Sequence, residues 1–379
     1  MSKKFRASMV AVLVGVLGLA TACGGDDGDG GGGSAELTPA QQQVVDEAGA
    51  AFDRYTQIQE AAAVPELPAP APTGKRLVMV TCSIPVCVTL SDGAREAAEK
   101  LGWTVSTLQT NSTPEGYTSA MNQVAADPPD ALAYISALPD SSVAKQLAKI
   151  HAAGTRIVAI SPLGDPLAEA DTPIGGVVFG QRDAHFTGTL MAQSVLADAD
   201  GPVESVFVWD PSFEGSWGPI KAGFEATMKS AGAEPGILEV SNANIGKTVP
   251  SQIVSYLQAH PDTAYVALAV VDYNAGLAAA LQAAGLQDRV KIISRAADAA
   301  ALEAIQAGKQ WASIGLELAA AGYRVVDQLI RLMTDVPLED RADPIGWQQV
   351  YVEDNVSDAD NQVEPPEYAQ AYYDAWHVG

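Results

Sequence analysis

Residues 77–103 read LVMVTCSIPVCVTLSDGAREAAEKLGW, and the two ends of this stretch follow different periods. Leu77 to Thr81 is an unbroken apolar run of strand length. Ala94, Ala97, Ala98 and Leu101 recur at i, i+3, i+4 and i+7, the spacing that lays one face of a helix on a sheet. The stretch is therefore a strand, a loop carrying Ser83-Ile84-Pro85-Val86-Cys87, and a helix. A strand apolar on both faces with a helix behind it is the unit of a parallel sheet, and such sheets bind ligands beyond the carboxyl ends of their strands. The residues between Met79 and Leu90 are thus the first place to look for a pocket.

The same alternation continues along the chain. Strands are predicted at 104–109, 131–135, 156–160 and 175–179, separated by helices at 113–126 and 141–153 and followed by one at 184–197. The pattern then restarts, with strands at 203–209, 236–240, 264–269, 290–293, 311–314 and 348–352 and helices at 218–231, 249–259, 275–284, 299–307 and 318–333. Regular alternation of this kind specifies α/β architecture, two parallel sheets flanked by helices. The aromatic tail with Tyr368, Tyr372, Tyr373 and Trp376 is too apolar to be left in water and is expected to pack on the body.

With 379 residues, 47% of them hydrophobic and 18% charged, the chain is long enough for two domains. Its 22 Lys and Arg against 46 Asp and Glu give a formal charge of −24, which repels phosphate backbones and argues against nucleic acid as a partner.

The amino terminus is a targeting segment. Lys3, Lys4 and Arg6 form a basic region, Ala7 to Ala20 an apolar one, and Leu19-Ala20-Thr21-Ala22-Cys23 ends in small residues before a cysteine. This resembles a bacterial lipobox, and the resemblance implies a signal peptide over 1–22, cleavage before Cys23 and acylation of Cys23, so that the chain is anchored to the outer face of the cell membrane. Gly24 to Ser34 is a flexible tether. A helix is predicted from Thr38, its N-cap, through about Ala63, and Val64 to Lys75, with four prolines, is read as an extended linker. The folded body is expected to start near Arg76.

Apart from Cys23, the cysteines are Cys82 and Cys87, both at the first loop. In an oxidising compartment they either form a disulfide or remain as two buried thiols. His151, His185, His260 and His377 have no ligand spacing, so no metal site and no cofactor are expected. Nucleophile elbows and phosphate loops are also missing; Glu214-Gly215-Ser216-Trp217-Gly218 has the wrong spacing for the former. Enzymatic activity is not expected.

Several runs carry a family resemblance: Val88 to Arg95, Lys100-Leu101-Gly102-Trp103, Asp127-Pro128-Pro129-Asp130-Ala131-Leu132, His260-Pro261-Asp262-Thr263-Ala264-Tyr265 and Ala307-Gly308-Lys309. Over 76–353 they are similar to the ribose-binding type of periplasmic binding proteins, the type I fold. The resemblance implies two Rossmann-like lobes joined by a three-segment hinge, lobe 1 over 76–181 plus 317–341 and lobe 2 over 182–316 plus 342–379. It further implies a monomeric receptor that closes on a small molecule, a sugar by family default, and delivers it to the permease of an ABC importer. A sensor that docks on a membrane kinase or chemoreceptor has the same fold.

Most sugar determinants of the family are replaced. Val86 and Cys87 stand where aromatics stack on the sugar, Ser161-Pro162 replaces an Asp-Arg pair, Val271-Asp272 replaces Asn-Asp, and Ala296 replaces an Asp. The candidate ligand-binding residues are Ser83, Val86, Cys87, Ser136, Phe213, Trp217, Asp272, Tyr273, Arg295 and Glu317. Arg295 either clamps a carboxylate or pairs with Asp298; Trp217, in a loop with Phe213, either stacks on a ligand ring or packs as core; Asp272 either faces the ligand or caps the next helix. An aromatic or other less polar acid is therefore the rival to a sugar.

Overall fold

The structure, a computed structural model, describes residues 37–110, 113–338, 342, 344–356 and 363–379. The signal peptide, Cys23 and the tether lie outside these residues.

The first half of the fold is a five-stranded parallel sheet in the order β2-β1-β3-β4-β5. Its strands are β1 (Arg76–Thr81), β2 (Thr104–Gln109), β3 (Ala131–Ile135), β4 (Arg156–Ile160) and β5 (Gly176–Val178). Helices α2 (Pro85–Lys100), α3 (Pro114–Ala126) and α4 (Ala144–Ala152) connect them. The predicted stripe of Ala94, Ala97, Ala98 and Leu101 is buried. The second half is a six-stranded sheet in the order β11-β10-β9-β8-β6-β7. Its strands are β6 (Ser205–Trp209), β7 (Gly236–Glu239), β8 (Tyr265–Leu268), β9 (Lys291–Arg295), β10 (Ala312–Leu316) and β11 (Gln348–Tyr351), the last antiparallel to β10. Helices α5 (Gln181–Ala199), α6 (Glu214–Ser230), α7 (Val249–Ala259), α8 (Leu277–Ala284) and α9 (Ala299–Gln306) belong with this sheet. Helix α10 (Leu318–Met333) follows β10 but returns to pack on α2, β4 and β5.

Each half contains one helix pair in backbone contact. A Cβ on Gly188 of α5 would lie 1.8 Å from the Ile220 carbonyl oxygen of α6, and one on Gly223 of α6 would lie 2.1 Å from the His185 oxygen of α5. Likewise a Cβ on Gly93 of α2 would meet the Ala319 oxygen at 2.2 Å, and one on Gly322 of α10 the Ala94 nitrogen at 2.3 Å. Only residues without a Cβ permit such an approach, so glycine spacing selects which helices pair.

Three chain segments cross between the sheets: β5 into α5 at Phe179–Gln181, β10 into α10 at Glu317, and the return from α10 to β11. The first crossing bends at Phe179, whose φ is 54°.

The ends of the described chain depart from the sequence expectation. Helix α1 spans Pro39–Tyr55, opened by a capping box between Thr38 and Gln41, and stops well short of Ala63 because Thr56 closes its last turn. It buries Val45 and Ala48 and packs on α5, with Tyr55 against Phe186 at 5.7 Å and Phe52 stacked on Trp311 at 6.3 Å. The proline-rich run is docked as well, with Leu67 and Ala71 buried, so the packed body begins at Thr38, upstream of Arg76. The aromatic tail forms α11 (Tyr368–Trp376). Although expected with the second half, it packs on α10: Tyr323 is ringed by Tyr368, Tyr372, Tyr373 and Trp376, and Lys100 of α2 sits 4.9 Å over Tyr373. Burial of five aromatic rings outweighs the chain proximity of the tail to β11.

Just ahead of α11, Glu364 accepts hydrogen bonds from Ala319 N at 2.7 Å and Ala320 N at 3.1 Å, closing the amino-terminal turn of α10. Burial, partly offset by these bonds, pushes its carboxyl up to about 7, and the Glu317 charge adds to the rise. A carboxyl raised above its unfolded value of 4.5 is protonated longer in the folded state, so stability falls as pH rises from about 5 to 7. Chemical denaturation at pH 5 and pH 8 is expected to show this fall in the native chain and a flatter profile in Glu364→Gln. Equal slopes in both proteins would remove Glu364 as the cause.

Candidate functional site

The carboxyl ends of the strands carry the loops singled out in the sequence. After β1, helix α2 starts at Pro85 with Ile84 as an N-cap that offers no side-chain acceptor, so Val86 and Cys87 sit in its first turn rather than in a loop. Cys82 and Cys87 are joined in a disulfide, which ties the end of β1 to that turn. Ser83 is exposed, Cys87 buried and Val86 half-buried. Ile84 and Val88, bonded through Val88 N and Ile84 O, are two of the exposed large apolar residues of the described chain, at 42% and 39% accessibility. After β3, Ser136 is half-buried and its Oγ lies in the environment of the Tyr117 hydroxyl, which burial raises far above the usual phenol range.

On the second half, Pro211–Phe213 form a 3-10 turn and α6 begins at Glu214, so Trp217 lies in a helix and not in a loop. It is buried, stacked on Phe213 at 4.7 Å, with Tyr273 edge-on at 6.4 Å between ring centroids. Tyr273 donates to Asn242 Oδ1 at 2.6 Å. Asp210 is fully engaged, one carboxylate oxygen on Ser212 and the other on Asn242 N. Asp272 does not cap α8, whose N-cap is Gly276 in a left-handed turn. It is half-buried, its carboxyl raised by burial and by the Asp298 charge. Asp298 itself caps α9 through Ala301 N and is not the partner of Arg295.

Arg295 instead lies in the field of Asp183 of α5, whose charge opposes the downward pull of burial on the guanidinium. Asp183 is buried, accepts from Gly346 N at 2.6 Å, and is raised by desolvation against the charges of Arg324 and Arg295. Glu317, placed among the ligand contacts by the sequence reading, is buried in an ion pair with Arg324. The Arg324 guanidinium lies 5.6 Å from the Phe179 ring. Phe179, Glu317 and Gly346 come from the three crossings, so Arg324, Glu317 and Asp183 bring contacts from all three together.

One residue touches both sides of that cleft. Pro219, inside α6, has no N–H to give the Gly215 carbonyl. Gln181 Nε2 takes its place, donating to Gly215 O at 2.8 Å and to Pro162 O at 3.2 Å. A Cβ on Gly215 would stand 2.6 Å from Leu163 Cβ, so the loop after β4 lies directly against the start of α6. Sequence reasoning missed Gln181, Asp183, Arg324 and Leu163. The only local signal was Pro219 within a helical pattern, which announces an unpaired carbonyl one turn earlier. Among the described residues there is no group of His, Cys, Asp and Glu that could hold a metal ion, and no helix is long and apolar enough to cross a membrane.

Two sheets whose carboxyl ends meet across a cleft, linked by three crossings, define a bilobal solute-binding architecture. The sequence profile of the periplasmic binding protein domain matches residues 76–335, and the chain belongs to that family. Its fold is the type I fold of that family. Among solved structures it is similar to a glucose-galactose binding protein from Geobacillus stearothermophilus, with 16% identity, TM-score 0.63, and coverage of 75% of this chain and 99% of that one. An ABC transporter solute-binding protein from Agrobacterium vitis bound to α-D-tagatopyranose matches at 20% identity and TM-score 0.64, covering 75% and 96%. A periplasmic solute-binding protein from Actinobacillus succinogenes with bound D-allose matches at 16% identity and TM-score 0.63, covering 74% and 98%. No curated protein matches the sequence significantly.

Proposed function

We propose that this protein is the extracytoplasmic receptor of an ABC importer, anchored through Cys23, that binds a small solute between its two halves by hinge closure and presents it to the permease. The observation that carries this reading is the cleft itself, where the carboxyl-end loops of both sheets meet at Leu163, Gly215 and Gln181 within a family of solute-binding domains. Ligands of parallel sheets are expected there, and the crossings beneath supply the pivots that closure needs. The binding role requires no catalytic group, and the half-buried candidates act as a lining.

A sugar or sugar-like solute is the first ligand class, since the structural neighbours named above are sugar binders. A less polar organic acid is the second, favoured by the lining. Ile84 and Val88 present exposed aliphatic surface after β1, and the Phe213–Trp217 stack stands after β6. Arg295 is the cation that would answer a carboxylate, in competition with Asp183.

A thermal-shift screen with D-galactose, D-tagatose, D-allose, sugar alcohols and phenyl carboxylates tests the assignment, because a ligand present at 100 times its Kd stabilises the folded state by about 2.7 kcal/mol. Stabilisation by sugars alone selects the first class. Stabilisation by phenyl carboxylates that Arg295→Gln abolishes selects the second. A chain bound by none of these, yet captured by a permease of a different solute class, overturns both.

A further inference from the structure

The family profile ends where two additional segments begin. It covers 76–335, and the solved relatives cover about three quarters of this chain while being covered almost whole themselves. Helix α1, the run 56–75 and α11 therefore lie outside the profile, and each of them contacts the body.

The run 56–75 starts on the second half. Tyr55 O accepts from Gln349 Nε2 at 2.7 Å, Thr56 O from Asn355 Nδ2 at 2.8 Å, Gln59 O from Trp347 Nε1 at 2.9 Å, and Gln59 N donates to Gln349 Oε1 at 2.9 Å. All four bonds go to β11 and its flanks. The run then leaves that sheet and ends on the first half. Arg331 of α10 donates to Pro65 O. Leu67 N donates to Ala375 O at 2.8 Å, Ala71 N to Trp376 O at 3.1 Å, and the Trp103 indole at the end of α2 to Pro72 O at 2.7 Å. His377 Nε2 meets Leu67 O at 2.7 Å. Helix α11 is the base on which this end rests, itself fixed by Trp376 Nε1 to Asp327 of α10 at 3.0 Å.

We propose that residues 56–72 form a strap, additional to the three crossings, that limits how far the two halves can separate. The inference rests on the hinge reading given above. A covalent chain hydrogen-bonded at one end to the second half and both bonded and buried at the other end on the first half has a fixed reach, and opening beyond that reach requires one end to undock. The strap acts on the ligand-free protein, holding the cleft near its closed geometry and lowering the ordering entropy lost on binding.

The test cuts the strap after folding. A protease recognition sequence is inserted between Ala62 and Ala63, and the separation of the halves is read by electron-spin distance measurement between labels at Lys149→Cys on α4 and Gln282→Cys on α8, both exposed positions, with Cys23→Ser. The same pair is measured in Gly215→Val, whose side chain wedges against Leu163 and drives the cleft open. Cleavage is expected to shift the distances of the wedged protein to longer values, with little change in the uncut wedged protein. Equal long distances in cut and uncut wedged chains would overturn the strap and leave the hinge reading standing. Unchanged distances in all four proteins would overturn the hinge reading, and the strap with it.

Discussion

Arg324→Met is expected to destabilise the protein by about 3–5 kcal/mol, the cost of leaving a buried charge without its partner. The guanidinium is the cation of the buried Glu317 and contributes to the field that opposes the raised carboxyl of Asp183. Removing it takes the largest opposing charge from Asp183 and leaves Glu317 without this ion pair, while Arg295 still acts on Asp183. Denaturant unfolding monitored by tryptophan fluorescence measures the loss. The double variant Glu317→Leu, Arg324→Met is expected to regain most of it, since replacing both members of a buried pair by apolar groups is often neutral. A loss of less than about 1 kcal/mol in the single variant, the range of an exposed ion pair, would show that water reaches this cluster.

Trp376→Ala is the second large effect. The indole is fully buried, lies parallel to Tyr323 with ring centroids 6.2 Å apart, and donates to Asp327, which also pairs with Arg331. Truncation is expected to cost about 3–5 kcal/mol as a large cavity opens between α10 and α11. Trp376→Phe keeps most of the ring volume and withdraws the N–H from Asp327, with an expected cost of about 1–3 kcal/mol for a buried acceptor that loses a donor. Hydrogen exchange should show residues 66–72 losing protection in the alanine variant, since their amides bond to the backbone of α11. Retained protection there would mean that this run is held by α10 and Trp103 without α11.

The sequence by itself determined the succession of elements. The eleven strands of the described residues and the helices between them follow from apolar runs, from 3.6-residue stripes such as Ala94, Ala97, Ala98 and Leu101, and from caps such as Thr38, all of which act over a few residues. The Cys82–Cys87 bond was within reach of the same reading because its cysteines are five positions apart. Tertiary structure alone decided three things. It decided which charge acts on Arg295, because Asp183 is more than a hundred positions away and the nearby Asp298 is occupied in capping α9. It decided that Trp217 belongs to a buried stack, because helix α6 starts a turn earlier than the apolar pattern and Gln181 satisfies the carbonyl that Pro219 leaves open. It decided that residues 56–72 and α11 are bound to the body. Proline-rich composition carries no record of what it docks on, and hydrogen bonds such as Leu67 to Ala375 join the two ends of the chain, where no local periodicity can register them.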